Sequence, residues 1–233
     1  MSFWDKFDQN LLKDFRAFPD TYLTTGSFMQ AFSGMHVSNL INATRDDPWI
    51  DTVADPFIGG PKLHGKVSQS TMRAILYIRE IEQHFDPQTI KWVTDFGPGY
   101  GNFIRVWHKL FNCQFYQLVD IESLHQVHQS YLGKLGIHAN WRTYDSQLKP
   151  GGQSGPSLFF ASHSLNECAM DIRDTVEKYL PNYDYLFISY NEDFEGNDNV
   201  AYFKALGDRL TKHFTITHTF DKITGKRRLI GVK

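Results

Sequence analysis

Cysteine is scarce in this chain. Its 233 residues hold two, Cys113 and Cys168, with no CxxC spacing. That argues against a disulfide scaffold or a thiolate metal cluster, and suits two reduced, partly buried thiols. No apolar run approaches the roughly 18 residues that a membrane-spanning helix needs. The stretch Met1 to Phe18 intersperses Asp and Lys among aromatics and lacks the apolar core of a signal peptide. A cytoplasmic location without a membrane span is the expectation. Excess positive charge is missing as well: 24 Lys and Arg face 26 Asp and Glu, giving a net charge of -2. With a pI near 6.5, a general nucleic-acid-binding surface is not expected. Internal repeats and low-complexity tracts are absent too.

What is present suffices for a sizeable core, since 41% of residues are hydrophobic and 15% aromatic. The length suits one good-sized domain plus an extension. Residues 1–89 differ in texture from the rest. Phe3, Trp4, Phe7, Leu11, Leu12, Phe15 and Phe18 recur at spacings that predict a short amphipathic helix. Residues 44–67 are rich in turn formers, and a helix is predicted from about Ser68 to Phe85, stopped by Asp86-Pro87. These residues read as a mostly helical cap and substrate region, followed by a second domain over 90–233.

From Lys91 onward, apolar runs alternate with helical patterns. Strands are predicted at 91–96, 114–119, 138–144, 157–162 and 183–190, with helices near 102–111, 122–134, 168–179 and 200–212. Such alternation implies a parallel sheet with helices on both faces, an α/β fold. The ending breaks the pattern. Phe214, Ile216, His218 and Phe220 alternate with threonines, and Lys222-Ile223-Thr224-Gly225 turns the chain into a last strand, Lys226 to Val232. A terminal antiparallel hairpin is therefore expected.

The first of these strands runs into Asp95-Phe96-Gly97-Pro98-Gly99-Tyr100-Gly101-Asn102. Glycines at a strand-to-helix turn allow close backbone approach to a ligand. A dinucleotide fingerprint, G-x-G-x-x-G, would need a third glycine at position 102, where this chain has Asn102. The G-x-G-x-G pattern with Asp95 two places ahead resembles motif I of the class I S-adenosylmethionine (SAM) methyltransferases. The resemblance implies that Gly97, Gly99 and Gly101 lie under the amino-acid end of SAM and that Asp95 orients it. It also implies a Rossmann-like sheet of seven strands closed by a C-terminal antiparallel hairpin. The next strand ends at Asp120, 19 residues beyond Gly101, where a carboxylate can accept hydrogen bonds from ribose hydroxyls. Ile121 is placed to pack on adenine, Asp145 to approach its amino group, and Tyr100 to contact the methionine part or the substrate. Because SAM carries a sulfonium cation, a pocket with Asp95, Asp120 and aromatics suits it.

The fourth strand ends in Ser162-His163-Ser164-Leu165-Asn166-Glu167. In open α/β sheets ligands sit at the carboxyl ends of strands. Together with Phe96 to Asn102, Tyr116 to Asp120 and His128 to Leu132, this stretch is similar to sugar O-methyltransferases of bacterial surface-polysaccharide pathways. Pro98 and Ile121-Glu122 depart from the Gly and Leu-Pro usual in them. The resemblance puts Ser162 beside the cofactor and catalysis at His163 and Glu167. Imidazole suits removal of a hydroxyl proton at neutral pH, with Glu167 orienting it or acting itself. Asn166 offers a sugar both a donor and an acceptor. The competing reading is that Ser164 or Asn166 caps the next helix.

Further candidates are weaker. Lys62, His64 and Arg73 flank a turn and a helix start that could meet a substrate phosphate. Glu167, Glu192 and Asp193 could hold Mg²⁺, although an acidic solvated loop is the preferred reading and no metal is assigned. His125 and His128 read as surface residues of a helix. The Asn/Asp-Pro-Pro-aromatic sequence of amino-methylating nucleic-acid enzymes is missing after Ala161. The expected activity is methyl transfer from SAM to an oxygen of a sugar or small polar metabolite. The alternatives are an NAD-dependent oxidoreductase and a non-catalytic SAM-binding accessory protein.

Overall fold

The computed structural model describes residues 3–25, 37–144, 148 and 155–233, with the backbone alone for 3–8. Asp145 and the side chains of Phe3, Trp4 and Phe7 lie outside the described residues. The chain forms two compact units that interleave along the sequence. One takes residues up to Glu80 with Gly99–Phe111 and Ile121–His138; the other takes Ile81–Pro98, Asn112–Asp120 and Ala139–Lys233.

The first unit begins with helix α1 (Phe3–Ala17), where Leu11 is buried as the apolar spacing predicts. Helix α2 (Val37–Thr44) and the two-residue strands β1 (Leu63–His64) and β2 (Val67–Ser68) follow. Helix α3 (Gln69–Ile81) ends a turn before the predicted Phe85, because the amides of His84 and Phe85 both return to the carbonyl of Ile81. Leu40, Val67 and Met72 form a small cluster with Ile41, Ile50 and Leu76. Helices α4 (Asn102–Leu110) and α5 (His125–Gly133) complete this unit. In α4, Phe103, Ile104, Val106 and Trp107 are buried, while His108 and Lys109 occupy the last turn, where cations suit the helix dipole.

The second unit holds the whole main sheet. Its strands are β3 (Trp92–Phe96), β4 (Phe115–Val119), β5 (Asn140–Arg142), β6 (Ser157–Ser162), β7 (Tyr185–Tyr190), β10 (Thr215–Asp221) and β11 (Lys226–Val232). Between them lie helices α6 (Met170–Glu177) and α7 (Asn199–Leu210), and a small hairpin of β8 (Asp193–Phe194) and β9 (Asn197–Asp198). The spatial order is β10-β11-β7-β6-β3-β4-β5. The five strands from β7 to β5 are parallel, and β11 and β10 are antiparallel. The predicted seven strands and closing hairpin are all present. Every residue of β3 from Trp92 to Phe96 is buried, which fits its near-continuous apolar run, the usual pattern of parallel strands.

One face of the sheet presents Phe96, Phe159, Ala161, Leu186, Ile188 and Tyr190 to Val176 of α6 and to Phe203, Leu206 and Leu210 of α7. The buried hydroxyl of Thr94 is satisfied. Thr94 Oγ1 accepts from Trp92 Nε1 at 3.2 Å and Tyr183 at 3.0 Å, and donates to Gln117 Oε1 at 3.2 Å. The connections run from β3 outward through β4 to β5, then return to β6 on the other side of β3. In open α/β sheets such a reversal marks where ligands bind, beyond the carboxyl ends of the strands, here β3 and β6.

Candidate functional site

The carboxyl end of β3 carries Asp95, whose side chain is 1% exposed. Burial raises its pKa well above the usual carboxylate range, and nearby Asp120 raises it further. Oδ2 of Asp95 has no hydrogen-bond partner among the described residues. An unsatisfied buried acceptor is costly and calls for an explanation at a functional site. Asp120 follows β4, half-exposed, and its amide continues the ladder by donating to Arg142.

Past Phe96 the chain turns at Gly97 with φ +70, and the Gly97 amide donates to Val119 at 2.8 Å. A Cβ at Gly97 would lie 2.1 Å from Cβ of Ser164. The hydroxyl of Ser164 donates to the carbonyl of Phe96. Ser164 thus joins the ends of β3 and β6, and makes no side-chain capping bond to the helical turn after it.

At the end of β6, Ser162 pairs with Ser189, and the His163 amide donates to the Ser189 carbonyl at 2.8 Å. His163 has φ +68. Glu195, the other described non-glycine residue with positive φ, sits with Gly196 in the tight β8–β9 turn, where left-handed residues are normal. His163 has no such setting, and strain of this kind concentrates at functional sites.

The segment after His163 is fixed by Arg173, which is 1% exposed. Its guanidinium donates to the carbonyls of Asn166 at 2.5 Å and Cys168 at 2.9 Å and to Oδ1 of Asn199 at 2.8 Å. The Asn166 side chain is fully buried, and neither of its polar atoms has a partner among the described residues. Glu167 is half-buried on the same turn. Burial pushes the Cys168 thiol up to about 12, so it stays protonated.

Within the first unit lie Gly99 (φ +64), Tyr100 and Gly101 (φ +94). Tyr100 is buried, and its hydroxyl is hydrogen-bonded to Ser68 and Ser70. Asn102 is buried too: it donates to Thr71 at 3.0 Å and accepts from Arg105 at 2.9 Å and Tyr131 at 3.2 Å. Arg105 also pairs with buried Asp55 at 3.2 Å. Here Asn102 has a structural task that a third glycine could not perform.

His128 corrects a sequence reading. It was expected on the helix surface but is completely buried, with Nε2 2.7 Å from the Gly99 carbonyl. Lys62 is exposed, and His64, Arg73 and Ile121 are half-buried. Ahead of α3, the Ser68 amide already donates to the Asp55 carboxylate at 2.5 Å. Glu192 bonds Arg227 at 2.8 Å. Among the described residues no group of three or more His, Cys, Asp or Glu is arranged to hold a metal ion.

The sequence could not have revealed Arg173, because a lone arginine on a helix normally reads as solvated. No protein-family model matches the chain, and no curated protein matches it by sequence. Solved structures do resemble it. The methyltransferase domain of bacterial CtHen1-CN superposes with a TM-score of 0.52 at 12% identity, over 69% of this chain and 97% of that one. The YcgJ protein of Bacillus subtilis gives 0.51 at 11% identity, over 68% and 98%. At such identities the likeness is one of fold: this is a Rossmann-like class I methyltransferase fold.

Proposed function

We propose that this protein is a SAM-dependent methyltransferase acting on an oxygen of a sugar or another small polar metabolite. The observation that carries the reading is Asp95, a buried carboxylate with an unsatisfied oxygen at the carboxyl end of β3. Such a group suits a cationic ligand, and SAM carries both an ammonium and a sulfonium. The anionic pyrophosphate of a dinucleotide is a poorer match, which disfavours the oxidoreductase alternative.

The cofactor contacts in this reading are Asp95, Gly97, Gly99, Tyr100, Gly101, Asp120, Ile121 and Ser162. SAM, when bound, supplies a methyl group on a sulfonium centre, which an oxygen nucleophile can attack directly. His163 takes the proton of the acceptor hydroxyl as that oxygen attacks, a role worth about 10²–10⁴-fold in rate. Glu167 orients the imidazole, and Asn166 recognises a neighbouring hydroxyl through its donor and acceptor. Lys62, His64 and Arg73 are the proposed contacts for a charged part of the acceptor, and residues 1–89 the region that selects it. The net charge of -2 favours a small acceptor over nucleic acid. None of these roles calls for Mg²⁺. Among the described residues no helix is long and apolar enough to cross a membrane.

The test is transfer of radiolabelled methyl from SAM to a panel of nucleotide sugars, free sugars and small hydroxylated metabolites. Transfer that collapses in His163→Ala is expected. Transfer to none of the panel, or undiminished transfer by His163→Ala with Glu167→Gln, contradicts the catalytic assignment.

A further inference from the structure

We infer that His128 is a positioning residue that sets the second half of the glycine turn through the Gly99 carbonyl. This inference rests on the cofactor reading above. Helix α5 touches each residue from Gly99 to Asn102. Nε2 of His128 lies 2.7 Å from the Gly99 carbonyl. Three residues on, the Tyr131 ring meets Tyr100 edge-on with centroids 5.0 Å apart, and its hydroxyl donates to Oδ1 of Asn102 at 3.2 Å. Leu132 fills the space beside Gly101, where a Cβ would come within 3.1 Å of it. Positions 128, 131 and 132 are i, i+3 and i+4, one face of a helix.

The chemistry of the His128 contact is determined. A carbonyl can only accept, so Nε2 carries the proton and donates. Full burial disfavours the charged ring, and its pKa is pushed down to about 3, with His125 contributing. The ring is therefore a neutral donor at any physiological pH, and its hold on Gly99 does not vary with pH there. Because Gly99 has φ +64 and no side chain, no contact of its own side chain can anchor it. The anchor has to come from another element. Fixing the turn before ligand arrives removes an ordering cost from binding.

The test compares the wild type with His128→Leu, which lacks the donor, and His128→Gln, whose amide can donate again. Titration calorimetry with S-adenosylhomocysteine should show about a tenfold loss in His128→Leu, equivalent to roughly 1.4 kcal/mol. His128→Gln should recover most of it. In steady-state assays KM for SAM should rise while kcat is kept. Hydrogen–deuterium exchange of the unliganded protein provides a readout independent of the cofactor. Exchange at residues 97–102 should quicken in His128→Leu and return towards wild type in His128→Gln. If the wild type binds no S-adenosylhomocysteine, the cofactor reading fails and the exchange result alone decides the role of His128. Unchanged exchange in a folded His128→Leu overturns the inference, as does unchanged affinity in a wild type that binds. Should His128→Leu not fold, Tyr131→Phe, which loses one hydroxyl, takes its place and should quicken exchange at Asn102; no change there counts against the α5 template.

Discussion

Ser164 stands where a side chain on Gly97 would have to be, its Cβ 2.1 Å from the place a Cβ would take. The glycine that opens the turn is thus demanded by the fold itself, through the end of β6, as well as by any ligand. Gly97→Ala should cost about 2–5 kcal/mol, combining a left-handed alanine with overpacking. In a Ser164→Gly background the penalty should fall to about 1–2 kcal/mol, leaving the backbone term alone. Urea unfolding of the double-mutant cycle measures this coupling. Additive losses would show that the two positions are independent.

Asp95 should cost stability at neutral pH. Its folded pKa is raised, so its favourable contribution is complete below the unfolded value and is lost as pH rises through the folded one. Asp95→Asn removes that loss. At pH 8 the variant should melt higher than wild type by roughly 2–4 °C, about 1 kcal/mol for a chain of this size. The advantage should shrink towards pH 4. SAM binding should weaken at least tenfold in the same variant, and in the wild type it should release protons, visible as buffer-dependent calorimetric enthalpy.

The strands were legible because each is a short apolar run between turn formers, and the β10–β11 hairpin because Phe214 to Phe220 alternates with period two. Helix α2 escaped notice, since eight residues spanning Val37–Thr44 carry too short a pattern. The two-residue strands β1, β2, β8 and β9 lie below any periodic signal. His128 was misread because His125 and His128 alternate with Gln126 and Gln129, a polar texture that suggests solvent. Arg105, Arg173 and Arg228 are each 1% exposed or less. Arg105 reaches Val53, Asp55 and Thr71, and Arg173 reaches Asn199, partners that no local pattern betrays, while Arg228 is held by Asp221 and Thr224 across its own hairpin turn. The candidate site was legible as an ordered set of strand ends, and its supporting shell was not.

His163 should separate stability from chemistry. With φ +68, its position accepts glycine more readily than alanine. His163→Gly is expected to be about 1–2 kcal/mol more stable than His163→Ala, which keeps the Cβ that makes the left-handed conformation costly. Both should lose about 10²–10⁴-fold in methyl transfer and retain affinity for S-adenosylhomocysteine. Thermal unfolding and single-turnover transfer, run side by side, check the pair.

Buried His128 should make the protein acid-sensitive. Its folded pKa of about 3 lies below the ordinary value of 6.5, so its stabilising contribution is complete above 6.5. That contribution is lost as pH falls towards 3. His128→Gln should therefore show a shallower decline in unfolding free energy between pH 6.5 and 4. Parallel profiles for the two proteins would mean that the ring is charged in the folded state.

The central claim, that the turn after β3 serves SAM, is tested most directly by titration calorimetry of the intact chain with S-adenosylhomocysteine and with NAD. Saturable one-to-one binding of S-adenosylhomocysteine, absent for NAD and weakened in Asp95→Asn, is the predicted result. A folded protein that binds NAD, or binds neither, contradicts it.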